Sequence, residues 1–258
     1  NRLVGNAEGA AGLECTLLGP DLRFERDAVV ALAGAEFPGM PAARARRIAA
    51  GDTLTLGHAT SGCRGYLAVA GGIDVPAVLG SRSTFPAARL GGLRGLPLVA
   101  GDVLAVGDAH AAAVGCLEEP RVRPSPGVPV MLRVITGEHA AIVGSTLWSA
   151  THTTSSRSDR MGVRFEGPPL GDGIASGSLA SVAVLPGTVQ LPPDGRPIVL
   201  LADGQTIGGY PVIGHVIAAD LPLVAQLRPG DTVRWREATI DEAHRALRDA
   251  DPCRGVVR

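Results

Sequence analysis

Two polar stretches stand out in a chain that is otherwise rich in short apolar runs. The first, SSRSDRMGVRFEGPPL at 155–170, sets Arg157, Arg160 and Arg164 among Ser156, Ser158, Asp159 and Gly162. A guanidinium is planar, permanently charged and suited to two-point binding of a carboxylate or phosphate. Asp159 could orient one of these arginines, the serines donate or accept, and Gly162 lets the backbone turn or approach a ligand closely. The same residues would equally make a surface turn with an internal Asp–Arg pair. The second stretch, LLADGQTIGGYPVIG at 200–214, brings Asp203, Gln205, Thr206 and Tyr210 beside apolar strands, with Gln190 a short way upstream. Gly208 and Gly209 would leave backbone N–H groups open to an anion or an oxyanion. Polar residues at strand ends are a common way to build a site on a rigid barrel, so both stretches are expected at one site.

Other chemistries are excluded by what the chain lacks. The 24 basic residues are all arginine. Without lysine there is no P-loop, no Schiff base, and no side chain to carry biotin or lipoate covalently. Neither a Gly-x-Ser-x-Gly elbow nor a His-Glu-x-x-His pair is present. GDGIASG at 171–177 has the wrong spacing for a dinucleotide loop. Cys15, Cys63, Cys116 and Cys253 are too scattered for a zinc site, no metal is expected, and a reduced, cytoplasmic chain fits best. His215, inside an apolar strand pattern, reads as a core or barrel-lining histidine, whereas His152 is the better candidate for a site.

The elements that must position these residues are mostly strands. Hydrophobic residues make up 45% of the chain, aromatics 3%, and there are 35 glycines and 20 prolines, which points to turn-rich β structure with an aliphatic core. In VPVMLRVITG, Val128, Val130, Leu132 and Val134 would share one strand face. GYLAVAGG, SVAVL, PIVLLA and VIGHVIAAD read similarly. Three stretches, AAGDTLTLG at 49–57, VAGDVLAVG at 99–107 and RPGDTVRW at 228–235, each pair a Gly-Asp turn with alternating strand residues. They hint at two related modules, or only at how common such turns are. Helices are predicted at 239–252, with Thr239 and Glu242 at capping-box spacing and Pro252 as the stop, and at 220–231, capped by Asp220. PAARARRI at 41–48 suits a short basic helix or a loop over a barrel mouth.

EEPRVRPSPGVP at 118–129 reads as a linker, dividing an N-terminal β-rich module at 1–120 from a C-terminal one at 121–258. Net charge is −1, which implies no general pull toward nucleic acid or membrane, and no apolar run is long enough to span a bilayer. The opening NRLVGN lacks both methionine and a leader pattern, and further residues are expected upstream.

Ser158-Asp159-Arg160-Met161-Gly162, Pro186-Gly187 through Gln190 with LPPDGRPIVLL, and Gln205-Thr206 with Gly208-Gly209-Tyr210-Pro211 together resemble the biotin-dependent carboxyltransferase family, also called the family of the 5-oxoprolinase C subunit or of allophanate hydrolase subunit 2. The early blocks LECTLLGPDLRF and GYLAVAGGIDVPAVLGSRST agree, so the resemblance runs through nearly the whole chain. It implies a mainly β fold of two tandem cyclophilin-like β-barrel modules, the first truncated at its start. It implies a hetero-oligomer with a B subunit, linked to a separate A subunit, that hydrolyses 5-oxoproline to glutamate with ATP bound at the level of the complex. On that basis Arg160 and Arg164 hold an anion and Asp159 orients Arg160. Gln190 and Gln205 bind a cyclic amide, Gly208 and Gly209 face an oxyanion, and Asp203 is a candidate general base. Ser158, Thr206 and Tyr210 complete the binding set. Carboxyl transfer from biotin carried elsewhere to urea or a similar amide, or a non-catalytic module regulating its partner, are the alternatives. Gly204 stands where the family's pattern has arginine, and Ile207 where it has threonine.

Overall fold

The computed structural model describes residues 1–109, 124–125, 127–171 and 179–250. The module boundary near 121, most of the 118–129 stretch, Cys116, Pro252 and Cys253 lie outside the described residues, as does most of GDGIASG. Two compact units emerge, Asn1–Glu119 and Pro120–Arg258.

The first unit runs through β1 (Leu13–Thr16), β2 (Leu18–Arg23), β3 (Ala28–Glu36), β4 (Arg44–Ile48), β5 (Thr53–His58) and β6 (Ser61–Val69). Four of these form an antiparallel sheet in the order β1-β6-β3-β4, and β2 pairs with β5. Leu32 of β3, Leu56 of β5, Leu67 of β6 and Met40 are buried in one aliphatic core. Residues 41–48 are neither helix nor loop: most of them form β4, an outer strand of the sheet. Its Ala45 and Ile48 are buried, while Arg44, Arg46 and Arg47 face solvent. Pairing with the apolar β3 overrides the helix propensity of the alanines and arginines, and charge along the outer strand discourages a further strand from adding.

The second unit contains β7 (Val130–Thr136), α1 (Thr146–Ser149), β8 (Thr151–Thr154), β9 (Gly162–Glu166), β10 (Val182–Ala183), β11 (Thr188–Gln190), β12 (Ile198–Leu200), β13 (Ile207–Gly208), β14 (Val212–Val216), α2 (Leu221–Ala225), β15 (Thr232–Glu237) and α3 (Ile240–Ala250). Seven strands close into a barrel in the order β11-β12-β9-β8-β15-β7-β14, and β10 with β13 makes a separate two-stranded ribbon. Closure leaves the barrel without free edges. Alternation sends Val130, Leu132 and Val134 of β7 inward, with Val163 and Phe165 of β9 and Val233 and Trp235 of β15. Val128, expected on that same face, precedes the strand and is exposed.

The three Gly-Asp stretches adopt the same turn. Gly51, Gly101 and Gly230 have φ of +88°, +92° and +93°. The N–H groups of Asp52, Asp102 and Asp231 donate to the carbonyls of Ala49, Val99 and Arg228 three residues back. Glycine at this position is what a turn with positive φ at its third residue requires.

The caps depart in part from expectation. Thr239 Oγ1 accepts the Glu242 N–H at 3.2 Å, as a capping residue does, while the Glu242 carboxylate takes Arg236. Asp220 makes no capping bond with its side chain. Instead its carboxylate accepts the backbone N–H and Nε–H of Arg133 at 2.9 and 3.0 Å and pairs with the rest of that guanidinium. A charge-assisted two-point pair outcompetes a single bond to a helix N–H. Among the described residues no helix is long and apolar enough to cross a membrane.

Candidate functional site

The two polar stretches meet through the strand pair β9 and β12, where Gly162 lies opposite Leu200. Beyond the ladder the backbone continues to connect them. Leu201 N–H donates to the Met161 carbonyl at 2.9 Å, and Asp203 N–H to the Arg160 carbonyl at 3.0 Å. The side chains follow: Arg160 Nε and Nη2 donate to Asp203 Oδ2 and Oδ1 at 2.7 and 3.1 Å. Arg160 is therefore a fixed cation on this rim. Both oxygens of Asp203 accept from Arg160, so the carboxylate fixes the aim of that guanidinium.

The rest of the first stretch builds the turn that presents Arg160. Asp159 Oδ1 accepts the N–H groups of Met161 and Gly162 at 2.8 and 3.2 Å. This is the local side-chain-to-backbone bonding that aspartate favours in turns. Ser158 Oγ accepts the Arg164 N–H at 3.1 Å, and Ser155 Oγ donates to Glu166 Oε1 at 2.6 Å. Arg164 lies on the exposed side of β9, opposite the buried Val163 and Phe165. Arg157 is 3.9 Å from Glu166 on the surface.

On the next strand over, Gln190 is buried, and its Oε1 accepts Gln205 Nε2 at 2.9 Å. Among the described residues two buried side-chain polar atoms lack a partner, Thr154 Oγ1 and Gln190 Nε2. A buried amide N–H without an acceptor is uncommon and costs free energy, so Gln190 is held in a state that an incoming acceptor would relieve. Gly208 backs onto this amide so closely that any Cβ there would collide with Gln190 Nε2. Gly208 pairs with Val182 in the ribbon, and Ser181 Oγ and the Leu179 carbonyl lie beside Gly209. Ser181 carries no signal in the sequence. Thr206, Ile207 and Tyr210 are exposed along the same segment. Asp203 and Gln205 are separated by Gly204 alone, so the ion pair and the amide pair flank one turn. A Cβ on Gly204 would sit 2.9 Å from the Met161 carbonyl and 3.0 Å from that of Leu201, which leaves little room for the arginine of the family's pattern without a backbone shift.

The histidines lie elsewhere. His152 is fully buried in the barrel, its Nδ1 accepting the Trp235 indole N–H at 3.0 Å and its Nε2 facing the Pro168 carbonyl at 3.2 Å. Burial pulls its pKa below the usual histidine value, outweighing the bond to Pro168. Both nitrogens are engaged, so His152, the better site candidate among the histidines by sequence, is a core residue. His215, expected as a core or barrel-lining histidine, sits on the barrel strand β14 with its residue exposed and Nδ1 3.4 Å from Thr188 Oγ1.

The sequence pattern of the carboxyltransferase domain, subdomain A and B, matches residues 1–237. Over 257 residues the chain is 36% identical to the C subunit of 5-oxoprolinase from Haemophilus influenzae, covering 96% of this chain and 82% of that protein. Against the C subunit of 5-oxoprolinase from Escherichia coli it is 37% identical over 261 residues, with the same coverage of each chain. The crystal structure of the Kluyveromyces lactis urea carboxylase superposes with a TM-score of 0.86 at 30% identity, over 98% of this chain but only 25% of that longer one. With the pattern spanning both compact units, the chain belongs to the family of the carboxyltransferase domain, subdomains A and B.

Proposed function

We propose that this chain is the C subunit of an ATP-hydrolysing 5-oxoprolinase, acting with a companion B subunit on a cyclic amide and linked to a separate A subunit. The observation that carries this reading is the Gln190–Gln205 pair with its unmet buried N–H. A lactam presents its N–H and C=O side by side. Gln190 Nε2 would donate to the lactam oxygen and Gln205 would take the lactam N–H, while Arg160, held by Asp203, would bind the substrate carboxylate. Gly208 covers the Gln190 amide, so the substrate would enter as the β10–β13 ribbon moves aside. Polar groups pre-positioned at the oxygen where charge develops lower the barrier. The names and high coverage of the bacterial relatives support the same assignment. ATP enters at the level of the complex, in the cytoplasm.

The second reading is carboxyl transfer to urea or a similar amide, favoured by the likeness to urea carboxylase. The chain has no lysine, so biotin would have to ride on another domain. Co-expression with the companion subunits should yield ATP-dependent glutamate release from 5-oxoproline. A folded, assembled complex that releases none, yet carboxylates urea when given a biotin carrier, would replace the first reading with the second.

A further inference from the structure

In the first unit, residues 76–104 form a long excursion between strand-like neighbours. Asp74 N–H donates to the Ala105 carbonyl at 2.8 Å, and Ile73 bridges to Val106, closing its neck. Apart from one short 3-10 turn at Pro86–Ala88, the excursion has no regular element. Loops of this length in a compact unit are commonly functional.

Most of its apolar side chains point out, although Leu104 packs against the core. Leu79 is 95% exposed, and Phe85, Leu90, Leu98, Val99 and Val103 are exposed as well. Val78 and Ser81 exchange backbone hydrogen bonds of 2.8 and 3.0 Å around Leu79 and Gly80. Both central residues have positive φ, +50° and +81°. This is the two-residue hairpin turn that favours Asn-Gly. A leucine there is doubly unfavourable, strained in the left-handed region and bare to water. Nothing in the first unit's own packing requires it, which is the signature of an anchor made for another surface.

We propose that Leu79 and the apolar loop around it are the docking surface for the companion protein subunit. This rests on the reading of the chain as one member of a complex. The loop's charged residues, Arg82, Arg89, Arg94 and Asp102, leave it with a net charge of +2. A second copy would oppose like charges, whereas a partner with an acidic rim and an apolar pocket for Leu79 fits. The hairpin holds Leu79 rigidly, as insertion into a shaped pocket requires, in contrast to the amphipathic helix used at lipid surfaces.

The test is Leu79→Asn in the full chain, with Leu79→Asp as a second variant. Purified chain is titrated with the purified B subunit, and free chain is melted alone. The proposal expects binding weakened about 30-fold or more by either variant, as for the loss of an interface anchor. It also expects Leu79→Asn to raise the Tm of the free chain, because asparagine suits the turn. A merely structural leucine would not move the two readouts in opposite directions. Wild-type and variant chains that bind the B subunit equally well would overturn the docking surface while leaving the proposed function standing. A complex that forms through Leu79 but releases no glutamate would do the reverse. A lowered Tm for both variants would mean that the chain itself covers Leu79 and would overturn the proposal. A wild-type dimer that the variants split, or Leu79-dependent binding to phosphatidylglycerol vesicles with none to the B subunit, would assign the surface to a second copy or to lipid and overturn it too.

Discussion

Arg160 and Asp203, 43 residues apart in the chain, meet in a two-point ion pair across the end of β9 and β12. The pair is partly open to solvent, with the Arg160 side chain 36% and that of Asp203 16% exposed. Pairs this accessible contribute about 1 kcal/mol or less to stability. We therefore expect Arg160→Ala to abolish turnover of the assembled complex while lowering stability by no more than about 1 kcal/mol. Asp203→Asn leaves the charge on Arg160 but loosens its aim, so it should raise KM for the anionic substrate with little change in Tm. Steady-state kinetics with thermal melts of each variant separate these effects. An Arg160→Ala chain that fails to fold would make the Arg160–Asp203 pair a structural one.

The unmet N–H of Gln190 leads to an opposite pairing of stability and activity. Gln190→Leu removes a buried donor that has no acceptor and leaves the exposed Gln205 free to bond water. Desolvating an unpaired amide costs roughly 1–3 kcal/mol, against about 1 kcal/mol for the bond lost to Gln205. The variant should match or exceed the wild type in stability, by up to about 2 kcal/mol, and lose activity. Gly208→Ala should fail on both counts, since its methyl meets Gln190 Nε2 and overpacking of this kind costs about 1–3 kcal/mol. Denaturant melts beside glutamate-release assays decide the matter.

How far these features can be read in advance depends on their range along the chain. Gly51, Gly101 and Gly230 sit in turns whose chemistry is local, so three short matching stretches are enough to find them. β7, with Val130, Leu132 and Val134 alternating, is legible for the same reason. Arg160 and Gln205 can be named from residue type and motif, but their partners cannot. The Arg160–Asp203 and Gln190–Gln205 pairings depend on which strands lie side by side, and a periodicity of two carries no register between strands. The Asp220 carboxylate shows the limit most clearly. Its sequence neighbours predict a helix cap, and only the barrel brings Arg133, 87 residues away, within reach. His152 is misleading in the sequence because its polar neighbours give no sign that its side chain alternates into the core.

Cys15 offers a test of burial in the first unit. Burial, and after it the charge of Glu14, raise its thiol to about 11. The thiolate is the reactive form, so Cys15 should resist alkylation by iodoacetamide at about pH 8 in the folded chain and label fully once denatured. Peptide-resolved mass spectrometry reads it site by site. Rapid labelling of Cys15 under native conditions would show that β1 opens from the sheet.

The His152–Trp235 bond should make the barrel acid-sensitive. Burial depresses the His152 pKa below its ordinary 6.5, so the unfolded chain takes up this proton at a higher pH than the folded one. The stabilisation is present above the unfolded value and is lost as pH falls from about 6.5 toward the folded pKa. Protonation would place a second N–H at Nδ1, where the Trp235 indole already donates. Partial burial lowers the His215 pKa in the same direction, and because His215 is present in both proteins its share cancels in the comparison with a His152 variant. Between about pH 7.5 and pH 5.5 the wild type should therefore lose more stability than His152→Gln, which can still accept from Trp235 without titrating. His152→Gln should start from a lower stability at the upper end of that range, since the amide fills the ring's space imperfectly. Parallel curves for the two proteins across this range, measured by urea denaturation, would mean that His152 keeps the same charge state folded and unfolded.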